Sequence, residues 1–90
     1  DVAAMQAMIT GMSSWSASHH GIPIIFGEYG CAVEQTNETA RLDWYHTYTA
    51  TLNATSNMLA WSIWDDDGDF KIYDRAANTW DQRVLGALGL

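Results

Sequence analysis

The sequence predicts a small α/β protein in which three helices alternate with two parallel strands, in the order α-β-α-β-α. Two apolar runs, 22–28 and 58–64, have the length and composition of strands in a parallel sheet that helices cover on both faces. Segments with helical apolar spacing precede, separate and follow these runs. Because parallel strands cannot be joined by a tight turn, the middle helix is expected to form a right-handed crossover between them.

The first helix is predicted over 2–19 and the first strand over 22–28. Gly21 suits the position after a helix end, and Pro23 cannot continue a helix. The strand ends in Glu28, a carboxylate directly after an apolar run. The apolar residues that recur at helical spacing in the first segment are Met5, Met8, Ile9, Met12 and Trp15.

The second helix is predicted over 39–54, with Thr36 or Asn37 as its N-cap. The second strand covers 58–64, and an Asp- and Gly-rich turn follows it. The inner stripe of the second helix is expected to be Leu42, Tyr45, Thr49 and Leu52.

A last helix is predicted over 80–88, after a short extended piece at 70–74. Thr79 and Gln82 have the spacing of a capping box, in which each side chain bonds to the other residue's backbone N–H. The residues of this helix that are expected to face inward are Trp80, Val84, Leu85 and Leu88.

Length and composition limit the classes of function. The 90 residues are enough for one small domain, and Asp1 opens directly into a helical pattern, as a piece of a longer chain would. Eleven acidic residues against four basic ones give a net charge of −7. That charge argues against nucleic acid and anionic membranes as partners, and no apolar run is long enough to cross a bilayer. The single Cys31 excludes an internal disulfide and a cysteine zinc site.

Glu28 is the first candidate for chemistry. In parallel α/β folds, functional side chains lie at the carboxyl ends of the strands, which is where Glu28 is placed. An apolar environment disfavours an ionised carboxylate, so packing gives little reason for an acid here. Two interpretations stay open: a nucleophilic or acid/base carboxylate, or a carboxylate held by a salt bridge or a helix end at the rim of the sheet.

Two tryptophans in the second apolar run have different expected roles. Residues three apart in a strand point to opposite faces. One of Trp61 and Trp64 is therefore expected to face the helices, and the other the cleft side. Both could simply be core residues. Trp64 lies at the strand end beside the acidic turn, and this position favours a flat apolar platform for a sugar ring.

The remaining metal-ligand residue types do not form a site in the sequence. An EF-hand loop needs Gly at its sixth position and Glu at its twelfth, whereas counting from Asp65 places Gly68 fourth and Ala76 twelfth. The three histidines have no spacing that places two on one helix face. Cys31 could line the mouth of the cleft, but a buried inert thiol is the simpler interpretation.

Several segments, taken in order, resemble the C-terminal part of cellulases of glycoside hydrolase family 5. The resemblance covers residues 2–88 and is carried by the run Ile-Pro-Ile-Ile-Phe-Gly-Glu-Tyr-Gly at 22–30, Arg41-x-x-Trp44-Tyr45, Ala-Trp-Ser-Ile-Trp-Asp-Asp at 60–66, Gly-Asp-Phe-x-Ile-Tyr-Asp-Arg at 68–75, and Trp80. That family consists of (β/α)8, or TIM, barrels. The resemblance implies that the two strands are the seventh and eighth of such a barrel.

The resemblance also implies a role for three residues. Glu28 would be the nucleophile of a retaining endo-β-1,4-glucanase, Trp64 the aromatic platform under the sugar at the cleavage site, and Asp65 a polar contact to the same sugar. No cofactor and no metal are implied. The implied partner is a β-glucan polysaccharide, and the implied location is outside the cell.

A retaining glycosidase needs a second carboxyl about 5 Å from the first, as acid and base. The family carries that residue in an Asn-Glu-Pro segment, which this sequence lacks, and Asn37-Glu38-Thr39 lies in a loop leading to a helix. A full barrel has about 250 residues and eight strands, so this chain corresponds to a quarter of one. Its open strand edges and apolar face predict a homo-oligomer or a missing N-terminal barrel portion as partner. The alternative function is a non-catalytic glycan-binding or self-assembling fragment.

Overall fold

The computed structural model describes residues 2–90. The elements are α1 (Val2–Ser18), β1 (Ile24–Tyr29), α2 (Glu38–Asn53), β2 (Met58–Ile63), a 3-10 turn (Gly68–Phe70), β3 (Tyr73–Asp74), β4 (Thr79–Trp80) and α3 (Gln82–Leu88). β1 and β2 pair in parallel, and β3 and β4 form a small antiparallel hairpin. The predicted α/β architecture with two parallel strands is confirmed, and the β3–β4 hairpin is an addition to it.

The core lies between the parallel strand pair and the helices. α2 occupies the centre, since it contacts α1, α3 and β2. Its stripe is buried as the helical spacing predicted, with Tyr45, Thr49 and Leu52 at most 3% exposed and Leu42 partly buried. Asn37 is the N-cap of α2, and its side chain accepts a hydrogen bond from the backbone N–H of Ala40. The other buried apolar residues are Ile9, Tyr29, Ile72, Val84 and Leu88.

The helices cover only one face of the strand pair. Ile25 in β1 and Leu59 in β2 are 66% and 69% exposed, whereas Phe26 and Trp61 pack against the core. The expectation that both strands are buried on both faces is therefore wrong for the described residues. The reason is that two strands cannot close on themselves, so nothing in residues 2–90 fills the second face. We call the side of the sheet that carries Ile25 and Leu59 the open face.

The last helix begins later than predicted. Thr79 and Trp80 belong to β4, and Asp81 caps α3 by accepting from the backbone N–H of Arg83 and Val84. The predicted capping box of Thr79 and Gln82 is therefore wrong. Trp80 is also not inward-facing: it is 49% exposed, because its strand pairs with β3 and its ring packs against a neighbouring tyrosine ring instead of the core.

α1 contacts the rest of the molecule along a narrow line. Ile9 is buried and Met5 is partly buried, whereas Met8 and Trp15 are 42% and 50% exposed. Ser16 is also fully buried, and its hydroxyl donates to the carbonyl oxygen of Ile22 at 2.6 Å. Within residues 2–90, no helix has both the length and the hydropathy that a bilayer span requires.

A candidate active site at the carboxyl ends of the parallel strands

A β-bulge in β1 determines where Glu28 points. Phe26 pairs with Trp61 and Tyr29 pairs with Ile63, so β1 advances three residues while β2 advances two. Strict alternation would place residue 28 on the same face as Phe26. The extra residue shifts the alternation: Phe26 is partly buried and Tyr29 is 6% exposed, whereas Glu28 is exposed. The bulge therefore presents the Glu28 carboxylate on the open face.

Tyr29 fixes the strand end that carries Glu28. Its hydroxyl shares a buried 2.7 Å hydrogen bond with the Thr49 hydroxyl, and its ring stacks on Tyr48 at a centroid distance of 5.2 Å. Burial raises the pKa of Tyr29 to about 12, although the Thr49 hydrogen bond acts in the opposite direction. The carbonyl oxygen of Tyr29 accepts from the backbone N–H of Trp64 at 2.8 Å, which joins the ends of the two strands.

Trp61 and Trp64 lie in different environments. Trp61 packs against the core: its ring meets Tyr29 edge-on at 5.8 Å, and its indole N–H donates to the side chain of Asn53. Trp64 follows the last residue of β2 and is 47% exposed. The peptide bond between Trp64 and Asp65 is cis. Trp64 thus offers an accessible aromatic surface at the same end of the sheet as Glu28.

Asp65 carries an unpaired buried atom. Its Oδ1 is inaccessible to solvent and has no hydrogen-bond partner among residues 2–90. A buried carboxylate oxygen without a donor is destabilising, and native proteins usually satisfy such groups. Glu28 is thus the penultimate residue of β1, and Trp64 and Asp65 directly follow β2, so the three predicted site residues lie at the same end of the parallel strand pair.

Three other carboxylates, those of Glu38, Asp66 and Asp67, are held by bonds within the chain. Within residues 2–90, Glu28 forms no ion pair, which leaves the salt-bridge interpretation of this residue without support. Glu38, by contrast, pairs with Arg83. Asp66 pairs with Arg75, which lowers the pKa of that carboxyl, and Asp67 accepts from the backbone N–H of Gly68. No three side chains of metal-ligating type cluster in the part of the chain that the structure describes.

Arg41 is a site-shaping residue that sequence reasoning missed. It is 5% exposed on α2 and donates to three carbonyl oxygens, those of Cys31 at 3.0 Å, Phe70 at 2.6 Å and Lys71 at 2.9 Å. These carbonyls belong to the loops that follow β1 and β2. Arg41 also continues the buried stripe of α2 toward the helix start. A charged residue in line with that stripe was the sequence signal that could have identified it.

Comparisons with known proteins agree with this geometry. No established protein-family profile matches the chain. The sequence is 32% identical over 83 residues to endoglucanase H of Acetivibrio thermocellus, covering 86% of this chain and 9% of that protein. Among solved structures, the cellulose synthase subunit CcsZ of Clostridioides difficile has a TM-score of 0.86 and 25% identity over 97% of this chain and 28% of that chain. Endoglucanase Cel5A of Thermotoga maritima has a TM-score of 0.85 and 23% identity over 98% of this chain and 27% of its own; structures of Cel5A include complexes with cellobiose and with mannotriose.

The fold is that of a segment of a TIM barrel, and the chain is similar to endoglucanases in sequence and in structure. The resemblance to the cellulases of glycoside hydrolase family 5 is confirmed by the matches to endoglucanases in both sequence and structure. The chain spans less than a third of the length of the relatives it matches, 9% of endoglucanase H and 27% of Cel5A.

Proposed function

We propose that this chain supplies the nucleophile and a sugar-binding platform of a retaining glycosidase that cleaves β-1,4-glucan. The observation that carries the proposal is the β1 bulge, which turns Glu28 from the helix-covered face to the open face at the carboxyl end of the strand. Bulges are frequent beside active sites because they redirect a side chain. Polymeric β-glucan is an extracellular material, so the proposal includes export of the protein.

Glu28 would act by direct attack. Its carboxylate oxygen forms a bond to the anomeric carbon while the bond from that carbon to the leaving oxygen breaks. In cellulose the leaving oxygen must receive a proton from a second carboxyl about 5 Å away, and that group later activates the water that releases the sugar. The sequence contains no Asn-Glu-Pro segment and Glu38 is paired with Arg83, so the proton donor would come from the rest of a barrel or from another copy of the chain.

Trp64 and Asp65 would hold the sugar next to Glu28. The exposed indole of Trp64 offers a flat surface to the apolar face of a pyranose ring, and aromatic side chains are suited to such stacking. Asp65 follows Trp64 directly and is only partly buried, and its carboxylate would be a polar contact to the same sugar. Both contacts would orient the anomeric carbon toward the nucleophile.

An activated substrate tests the nucleophile without the missing acid. Dinitrophenolate leaves as a stable anion and needs no proton, so dinitrophenyl 2-deoxy-2-fluoro-β-cellobioside can react with Glu28 alone. The fluorine slows release of the sugar, and a covalent adduct accumulates. Mass spectrometry after digestion is expected to place the cellobiosyl group on the peptide that contains Glu28. Glu28→Gln should form no adduct, whereas Glu34→Gln, a change in the exposed loop after β1, should label like the parent chain.

Two results would contradict this role. One is an adduct that persists in Glu28→Gln, and the other is a folded parent chain that gives no adduct at all. On cellulose derivatives without an activated leaving group, the 90-residue chain alone is expected to be weakly active or inactive. Comparing the cellobioside with the matching mannobioside tests the choice of glucan, since relatives are known with both cellobiose and mannotriose bound.

The open face favours a second candidate function, a self-assembling fragment without turnover. Ile25 and Leu59 are both about two-thirds exposed, and each strand of the parallel pair has one unpaired edge within residues 2–90. Apolar faces and free edges of this kind are covered in stable proteins by further strands or by other copies. Light scattering is expected to show an oligomer that Ile25→Lys or Leu59→Lys dissociates, while Val33→Lys in a loop has no effect. A monomer at micromolar concentration would remove this candidate.

A further inference from the structure

A concave site lies away from the residues proposed for hydrolysis. The start of α2, the β3–β4 hairpin and the start of α3 enclose a cavity of about 640 Å³, a volume in the usual range of small-molecule sites. Glu28, Trp64 and Asp65 do not line it. The side chains that the argument uses are Glu38, Lys71, Tyr73, Asp74, Trp80 and Asp81 with its neighbours.

The aromatic wall of this cavity is held in place. Tyr73 pairs with Trp80 across the hairpin, and their ring centroids are 4.8 Å apart at an angle of 58°. The Tyr73 hydroxyl donates to the side chain of Asn78, and the backbone N–H of Asp81 donates to the carbonyl oxygen of Ile72. Trp80 nevertheless remains 49% exposed. Trp80 therefore presents about half of its surface to the cavity side in a fixed orientation.

The charges around the cavity cancel. Three cations and three anions line it, although the whole chain has a net charge of −7: Arg41, Lys71 and Arg83 against Glu38, Asp74 and Asp81. Several of these charged side chains also form ion pairs with one another. Lys71 lies 3.1 Å from Asp74, and Arg83 pairs with both Asp81 and Glu38. The lining therefore carries no excess charge that would attract an ion.

We propose that this cavity binds a neutral oligosaccharide, with the apolar face of one pyranose ring against Trp80. Hydroxyl groups of the sugar would bond to the polar side chains that follow Trp80, namely Asp81, Gln82 and Arg83. A rigid aromatic surface beside planar, paired polar groups suits a ligand that has one apolar face and a rim of hydroxyls. Only the choice of a β-glucan as probe rests on the proposed function; the neutral-sugar chemistry follows from the cavity.

Indole N–H resonances test this site independently of hydrolysis. The chain has five tryptophans and so five indole signals in a ¹H–¹⁵N spectrum, and Trp80→Phe identifies one of them by its loss. Titration of the 90-residue chain with cellohexaose is expected to shift the Trp80 signal in a saturable manner. The same shift should occur in Trp64→Phe. A Trp80 signal that stays in place, or one that stops moving in Trp64→Phe, would overturn the proposal.

Matched variants distinguish specific binding at this cavity from nonspecific binding to exposed indole rings. Trp80→Ala is expected to weaken cellohexaose binding about tenfold at this site, which corresponds to about 1.4 kcal/mol. Trp15→Ala removes an equally exposed tryptophan outside the cavity and should leave the affinity unchanged. If Trp80→Ala does not fold, the titration of the parent chain still decides. Tighter binding of an anionic oligogalacturonate than of cellohexaose would contradict the neutral character of the site.

Discussion

The α-carbon of Gly30 lies directly against the carbonyl oxygen of Trp64, so close that a Cβ on Gly30 would stand 2.1 Å from that oxygen. The contact ties the residue after β1 to the residue after β2. It therefore sets the spacing between the two strand ends that carry Glu28 and Trp64. Only a residue without a side chain permits this approach.

Gly30→Ala is expected to destabilise the fold by about 2–4 kcal/mol, because the Trp64 backbone must move away from the new methyl group. Urea unfolding followed by circular dichroism measures the change. Gly27→Ala is the control: a Cβ there meets no atom within 4 Å, so the same substitution three residues earlier should change stability little. Equal losses in the two variants would show that the Gly30–Trp64 contact is unimportant.

The hydrogen bond between Tyr29 and Thr49 is the second testable contact. Tyr29→Phe and Thr49→Val each leave one buried hydroxyl without its partner, and each is expected to cost about 1–2 kcal/mol. The double variant leaves no unpaired group, so its loss should be smaller than the sum of the single losses. Strictly additive losses in urea unfolding would contradict the coupling. Tyr73→Phe removes an exposed tyrosine hydroxyl and should have little effect.

Tyr29 also predicts an alkaline limit of stability. Burial raises the pKa of Tyr29 from 10.0 to about 12 in the folded chain. Between these two values the folded state binds the proton and the unfolded state has released it, so stability falls as pH rises. The contribution of Tyr29 is complete below pH 10 and is lost above pH 12. Unfolding measured at intervals from pH 9 to pH 12 should show this decline, and Tyr29→Phe should show a shallower one.

The sequence was sufficient to predict those elements whose buried face follows from a single periodicity of apolar residues. Tyr45, Thr49 and Leu52 recur at helical spacing on a helix that packs along its whole length, so periodicity alone located the buried face. The parallel pair followed from two apolar runs separated by a helix. The position of Glu28 at the carboxyl end of β1 followed from the same pattern.

Features that depend on two segments at once were not predictable. The bulge that exposes Glu28 exists only in the register between β1 and β2, so neither strand sequence reveals it. Thr79 had the spacing of a helix cap, but pairing of β4 with β3 took it into a strand and left Asp81 as the cap. The carbonyl partners of Arg41 at Phe70 and Lys71 lie 29 and 30 residues away.

Arg41 is expected to be required for stability. Arg41 is buried, and Arg41→Ala would leave three loop carbonyls without their donor. The substitution should therefore lower the free energy of unfolding, measured in urea, by about 3 kcal/mol. Arg41→Lys keeps the charge but cannot reach all three oxygens, so it should also destabilise. Arg75→Ala is the matched control, since Arg75 is exposed and its solvent-screened ion pairs with Asp66 and Asp67 should contribute little to stability. A tolerated Arg41→Ala would contradict its bridging role.

Asp81 is predicted to be the functional cap of α3 in place of Thr79. Asp81→Ala should cost about 1 kcal/mol because the N–H groups of Arg83 and Val84 lose their acceptor, whereas Thr79→Ala should cost little. The side chain of Arg83, bonded to Asp81, lowers the pKa of that carboxyl, so its contribution is present above the pKa of the unfolded chain, near 4, and is lost as pH falls. Asp81→Asn keeps the cap but removes the titration. Unfolding at pH 7 and pH 3 should therefore show a smaller acid loss in Asp81→Asn than in the parent chain, and identical losses would show that Asp81 does not contribute to acid sensitivity.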